Sequence, residues 1–237
     1  MKRICTICAR GGSKGVPGKN LKEIGGIPLI VHTIRQALDS KLFDDVVVSS
    51  DSLDILEVSK KFGATLTIQR PANLALDTSA KVPVIRHCVN EAEKILKKKF
   101  ILCVDLDCTS PLRIKEDIIE SVKVMENGSF SNLITGCKSR RSPYFNLVEL
   151  SDDNKVSLSK SLSNPVVRRQ DAPKSFDMNG SIYIWKREVL EEFDDLFLEN
   201  TKLYEMPEER SVDIDSPLDF KIVELLLKER LRSISNQ

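Results

Sequence analysis

No stretch of this chain approaches the roughly 20 consecutive apolar residues that cross a bilayer, and the apolar run at 4–9 is too short for a secretory leader core and is cut off by Arg10. A membrane partner and export are not expected, and the protein is read as cytoplasmic. Nor is there an excess of either charge: 36 Lys and Arg stand against 35 Asp and Glu, a formal net charge of +1. Nucleic acid is therefore not an expected partner, since no global field attracts it, and a polyanionic ligand has to be gripped by a local cluster. Histidine is scarce, and His32 and His87 both fall in segments of helical period, where packing suits them better than catalysis. Cys5 and Cys8 lack the second Cys or His pair that completes a zinc site, so the six cysteines (5, 8, 88, 103, 108 and 137) read as reduced core residues. What remains is a globular composition, 41% hydrophobic and 30% charged over 237 residues. It suits one domain spanning 1–237 with a sizeable core.

Apolar runs of strand length alternate with segments of helical period, the sign of a mostly parallel sheet wrapped by helices. The pattern predicts strands at 3–8, 45–49, 65–69, 100–105, 132–137 and 181–185, and helices at about 28–40, 53–62, 79–98, 114–126 and 217–232. Asp51-Ser52 should cap the second helix, Thr78 or Ser79 the third, and Gly63 should stop the second. Right-handed crossovers place the loops after the strands along one edge, where a ligand binds. Over 138–174 the rhythm changes, with β-like pieces at 144–150 and 165–168 and no intervening helix. That excursion suits a lid or a subunit contact.

The most informative segment follows the first strand: Ala9-Arg10-Gly11-Gly12-Ser13-Lys14-Gly15-Val16-Pro17-Gly18-Lys19-Asn20. Its four glycines let backbone N–H groups turn inward while Arg10, Lys14 and Lys19 supply cations, a combination built for a polyphosphate. It is not a Walker A loop, because Ser13 and Asn20 stand where Gly and Ser or Thr are required, and it is not GxGxxG. Further along, Asp213-Ile214-Asp215 places two carboxylates at i and i+2. In an extended segment both project to one side, a plausible magnesium site, although Asp215-Ser216-Pro217 also reads as a helix cap.

The loop resembles the signature of the acylneuraminate cytidylyltransferases, which make CMP-sialic acids and their bacterial relatives. The resemblance continues through Val47-Val48-Ser49-Ser50-Asp51, the block from Gln69 to Thr78, Thr109-Ser110-Pro111-Leu112-Arg113, Arg169-Gln170-Asp171-Ala172-Pro173, Asn179-Gly180-Ser181-Ile182-Tyr183-Ile184 and the block from Asp213 to Asp219. It implies a three-layer, Rossmann-like nucleotide-diphospho-sugar transferase fold. The implied reaction couples CTP to a 3-deoxy-2-ulosonic acid, whose anomeric hydroxyl attacks the α-phosphorus as pyrophosphate leaves, with magnesium as cofactor. Arg10 and Lys19 would be catalytic with Asp213 and Asp215, the latter two also as metal ligands. Nucleotide contacts would come from Ala9, Arg10, Gly11, Gly12, Ser13, Lys14, Lys19 and Asn20, the last toward ribose. Arg70, Asn73, Asp77 and Ser79 are the candidates for cytosine, with Arg70 foremost. Asp105, Asp107, Thr109, Ser110, Lys138, Arg169, Gln170 and Tyr183 would line the sugar pocket, with Arg169 on the sugar carboxylate. Segment 138–175 would protrude and pair two subunits as a homodimer.

The chain departs from the family at Asp105-Leu106-Asp107-Cys108-Thr109, where Asp107 replaces the glutamine of Gln-Pro-Thr-Ser-Pro-Leu-Arg. An ionised carboxylate only accepts hydrogen bonds, so it favours an acceptor with extra N–H groups. This form resembles the branch that activates legionaminic acid, a 5,7-diamino nonulosonate, with N-acetylneuraminate as the alternative. Asp105 is also a candidate for the metal shell. The same run mimics the DxDxT of haloacid-dehalogenase phosphatases, in which Asp105 would be the nucleophile and Asp107 the acid. A non-catalytic nucleotide sensor on this scaffold is a third reading.

Overall fold

The computed structural model describes residues 2–164 and 166–235. In chain order its elements are β1 (Arg3–Cys8), β2 (Glu23–Ile24), β3 (Ile27–Pro28), α1 (Leu29–Ser40), β4 (Asp45–Ser50), α2 (Leu53–Lys61), β5 (Leu66–Gln69), α3 (Lys81–Leu96), β6 (Leu102–Leu106), α4 (Lys115–Asn127) and β7 (Asn132–Lys138). There follow β8 (Val148–Leu150), β9 (Val156–Leu158), β10 (Phe176–Lys186), α5 (Arg187–Glu192), β11 (Thr201–Glu205) and α6 (Pro217–Ser235).

Seven strands form one sheet in the order β11-β7-β10-β6-β1-β4-β5. All neighbours are parallel except at β10, which runs antiparallel to both β6 and β7. Strand alternation sends β1 side chains to opposite faces. Cys5 and Ile7 join Val46, Val48, Ile30, Ile34, Ile118 and Val122 on the face covered by α1 and α4. Ile4 joins Val47, Ile85, Cys88 and Trp185 on the face covered by α3. The result is the expected three-layer α/β arrangement. A third cluster packs Phe220, Val223 and Leu227 of α6 against Val16, Ile24, Leu29, Leu112 and Ile214. That packing draws α6 against the first loop.

The chain leaves β1 for β4 on one side and later returns to β6 on the other, so the strand order reverses at β1. Ligands in such sheets bind outside the strand ends at this point. The loops after β1 and β6 open there.

Local chemistry explains the helix boundaries. Ser52 caps α2, its Oγ accepting from Ile55 N at 3.5 Å, and Gly63 follows the helix at φ +98°. The third helix starts later than its sequence suggests, at Lys81, with no side-chain cap. Ser79 is drawn elsewhere, its Oγ accepting from Leu76 N at 3.0 Å and donating to Asn73 O at 3.3 Å. Asp215 does not cap α6 either. Ser216 does, in a reciprocal arrangement where Asp219 Oδ2 accepts from Ser216 N (2.7 Å) and Ser216 Oγ accepts from Asp219 N (3.3 Å).

Among the described residues of the excursion beyond Lys138, Val148–Leu150 and Val156–Leu158 are the strands, and they pair with each other. Residues 166–168 form no strand, and Pro165, the start of that expected piece, lies outside the described residues. β11 and α5 have no counterpart in the predicted pattern. β11 has no side chain fully buried, and α5 spans only six residues.

Candidate active site

Gly15 brings the first loop against the acidic doublet. A Cβ there would lie 1.9 Å from the carbonyl oxygen of Asp215, so only glycine allows the approach. Lys19 joins the same segments from below. Its Nζ donates to Ile214 O and lies 3.6 Å from Asp215 Oδ1, across 195 residues of sequence. Ile214 is buried in the α6 cluster, with Ile214 N donating to Thr109 O at 2.9 Å. Of the two flanking aspartates, Asp215 lines the cavity between these segments and Asp213 is not part of its lining.

These segments wall a cavity of about 360 Å³ lined by Ala9, Arg10, Ser13, Lys14, Gly15, Lys19 and Asn20 from the loop, Arg70, Asp77, Ser79 and Lys81 from the β5–α3 connection, and Asp107, Thr109 and Asp215. Arg10 and Lys14 both pair with Asp77, a counter-ion to the loop cations that also lines the cavity. The hydrogen bond from Lys14, with that from Arg10, holds the Asp77 carboxyl below its ordinary range. Asn20 is buried, donating Nδ2 to Arg10 O at 2.9 Å, and its Oδ1 is a buried acceptor with no partner. Arg70 is fixed by its bonds from Nη2 to Ser49 O (2.7 Å) and Ala9 O (3.4 Å) and from Nε to Ser49 Oγ (3.2 Å).

Other expected nucleotide contacts fall outside the cavity. Gly11 donates its N–H to Asp51 Oδ1 at 2.9 Å, which removes it from an inward-facing set. Neither Gly11, Gly12 nor Asn73 is part of the lining.

At the end of β6 the two aspartates part company. Asp105 lies within the strand, between β1 and β10, and is 1% exposed, accepting from Thr6 Oγ1 at 2.7 Å. Asp107 lies just past the strand end and reaches the cavity. Lys81 Nζ bridges them, at 2.8 Å from Asp107 Oδ2 and 3.4 Å from Asp105 Oδ2, and lies 4.3 Å from the Tyr183 ring centre. Burial opposes the charges of this group, but Lys81 with the Thr109 N–H and hydroxyl outweighs it at Asp107, bringing that carboxyl down to about 2. Burial dominates at Asp105 and raises its carboxyl. Asp105 thus fits neither a sugar contact nor a phosphatase nucleophile, being closed off beneath the site. Ser110 and Tyr183 are likewise buried, Ser110 donating to Asn179 O at 3.2 Å. Lys81 was not among the residues singled out from sequence. Its signal was a cation in the first turn of the helix expected at 79–98, where the helix dipole disfavours it.

Arg113 underpins this corner. Fully buried, it donates to Gln36 Oε1, Ser181 O, Thr33 Oγ1 and Asp107 O at 2.6–2.9 Å.

Asp213 sits behind Asp215. Burial, then the charges of Asp215 and Asp107, push its carboxyl up to about 7 against the pull of Lys19. Its Oδ1 is buried without a partner. A hard oxygen kept without a donor and crowded by like charges fits a divalent cation, which when bound would hold the carboxyl ionised. Among the described residues no three His, Cys, Asp or Glu side chains gather closely enough to hold one alone. Water and phosphate oxygens would have to supply the remaining ligands.

Lys138, Arg169 and Gln170 are elsewhere. With Arg140, Arg141 and Glu208 they line a second cavity of about 630 Å³ that shares no lining residue with the first. Arg169 lies in a short 3₁₀ turn, its Nη2 donating to Ser139 O at 2.8 Å.

A family model described as Cytidylyltransferase matches residues 4–235. The chain is 47% identical over 224 residues to CMP-N,N'-diacetyllegionaminic acid synthase of Campylobacter jejuni, covering 94% of each chain. It is 46% identical over 227 residues to post-translational flagellin modification protein B of Campylobacter coli, covering 96% of this chain and 95% of that one. Among solved structures, CMP:2-keto-3-deoxy-manno-octonic acid synthetase complexed with CTP shares the fold, with a TM-score of 0.69 at 19% identity over 97% of this chain and all of that one. Matched almost end to end, this chain belongs to the cytidylyltransferase family and is a CTP-dependent nucleotidyltransferase.

Proposed function

We propose that the protein joins CTP to the anomeric hydroxyl of a legionaminic-type nonulosonic acid, giving the CMP-sugar and pyrophosphate. The observation that carries the choice of acceptor is Asp107, held ionised at the cavity wall where it can only accept hydrogen bonds. An acceptor with N–H groups on two of its carbons suits it, in line with the diacetyllegionaminate named for a relative at 47% identity.

The reaction asks for alignment and charge neutralisation rather than a covalent nucleophile. Holding both reactants in line supplies on the order of 7–11 kcal/mol. Arg10 and Lys14 exchange Asp77 for phosphate oxygens, and Lys19 offsets the charge gathering on departing pyrophosphate. The unpartnered Asn20 Oδ1 takes a ribose hydroxyl, and Arg70 faces cytosine. Asp213 and Asp215 would hold magnesium, which when bound draws charge from the phosphates.

The sugar-pocket residues are divided between two cavities, and this supports a homodimer built on the protruding 138–175 segment. One subunit's Asp107 and Thr109 would face the acceptor, while Arg169 from the other subunit grips its carboxylate. The exposed apolar side chains of Val148, Leu150, Val156 and Leu158 give that segment a surface to bury.

Pyrophosphate release from CTP and magnesium should be fastest with legionaminic acid among legionaminic, N-acetylneuraminic, pseudaminic and Kdo acids. Asp107→Gln should move the preference toward N-acetylneuraminate. An unchanged order of acceptors in that variant removes Asp107 from the sugar pocket.

A further inference from the structure

Lys81 occupies a position that its own helix disfavours. It is the first residue of α3, against the positive end of the helix dipole and without a side-chain cap. What holds it there comes from other elements: Asp105 and Asp107 at the end of β6 and the ring of Tyr183 on β10. Asp105 and Tyr183 are 1% and 3% exposed. The side chains of Lys81 and Asp107 keep 33% and 24% exposure and both line the cavity. The cluster therefore has a closed base and an open face, and the open face is one ion pair.

The hydrogen-bonding capacity of that face can be counted. An ammonium has three N–H groups, of which two are directed at Asp105 Oδ2 and Asp107 Oδ2. A carboxylate has about four acceptor positions. At Asp107 three are taken, by Thr109 N (3.1 Å), Thr109 Oγ1 (3.0 Å) and Lys81 (2.8 Å). One N–H of Lys81, whose ammonium also lies 4.3 Å from the Tyr183 ring centre, and one acceptor position of Asp107 are left by these bonds. A bare carboxylate here would repel a triphosphate and an acidic sugar, but the paired one does not.

We propose that Lys81 determines acceptor specificity together with Asp107, the two acting as one element. Asp107 takes the N–H of an acylamido substituent, and Lys81 donates to the neighbouring acceptor oxygen while cancelling the charge of Asp107. This rests on the nonulosonate reading above and assigns that site a residue the family resemblance did not supply.

The test compares kcat/KM for an acylamido nonulosonic acid and for the analogue bearing hydroxyls at the same carbons, with CTP saturating. Wild type should favour the acylamido acceptor. Lys81→Met and Asp107→Asn should each lower that ratio about tenfold or more, and the double variant should lower it no further than the worse single one. A purely structural lysine would slow both acceptors alike and leave the ratio intact, which overturns the assignment, as does a wild-type enzyme without the preference. CTP binding reports folding. If Lys81→Met binds none, Lys81→Met combined with Asp105→Asn, which removes the more deeply buried charge left facing the missing lysine and keeps Asp107, decides by the same ratio. Absence of turnover with every nonulosonic acid in wild type overturns the parent reading as well, whereas a ratio unaltered in Lys81→Met but lowered in Asp107→Asn overturns only the role of Lys81.

Discussion

At Gly15 the van der Waals surface of the acidic doublet leaves no room for a methyl group, while at Gly12 nothing lies within 4 Å of one. Gly15→Ala should therefore destabilise the fold by about 1–3 kcal/mol and raise the KM for CTP, while Gly12→Ala should leave stability within about 0.5 kcal/mol. Chemical denaturation of the two variants checks the contrast. Asp107 makes a second residue-scale prediction. Its folded carboxyl titrates near 2 against an ordinary 3.8, so its stabilising contribution is complete above about pH 4 and is lost as pH falls through 2. Wild type should lose stability more steeply than Asp107→Asn between pH 4 and 2, by about 2 kcal/mol, read from urea midpoints. The cations of the first loop were visible in the sequence because they cluster locally. The pairing of Asp77 with them, and that of Lys81 with Asp107, were not, because each joins segments tens of residues apart.

Among the elements, α6 couples stability to the site. Asp219 caps the helix through Ser216 and also receives Asp215 N–H at 3.2 Å. Asp219→Ala should cost about 1 kcal/mol, measured as a fall in thermal midpoint. Strands whose side chains are buried on both faces were legible as apolar runs, as at 45–49 and 132–137. β11 was not, since Thr-Lys-Leu-Tyr-Glu at a sheet edge carries no such run. The antiparallel direction of β10 has no sequence period of its own, because alternation is the same whichever way a strand runs. The start of α3 shows the reverse error. Ser79 has the chemistry of a cap, but carbonyl and amide partners in the preceding turn hold it instead.

For the whole molecule the proposed homodimer is the exposed prediction. The 148–158 hairpin presents Leu150, Val156 and Val148 at 68%, 65% and 55% exposure. Val148→Lys with Val156→Lys should convert a dimer to a monomer in sedimentation and sharply reduce turnover while CTP still binds. A wild-type protein that sediments as a monomer would remove the shared sugar pocket.

The order of the motif blocks, the glycine and cation content of the first loop and the i, i+2 spacing of Asp213 and Asp215 were determined by sequence alone, because each is a property of neighbours along the chain. Only the tertiary structure decided that Asp105 is sealed below the sheet edge while Asp107 reaches the cavity, that Lys81 belongs to the site, and that Arg169 and Asp107 line different cavities. The reason is physical: burial and ion pairing depend on distance through space, and the strand order that sets those distances is fixed by packing the whole sheet.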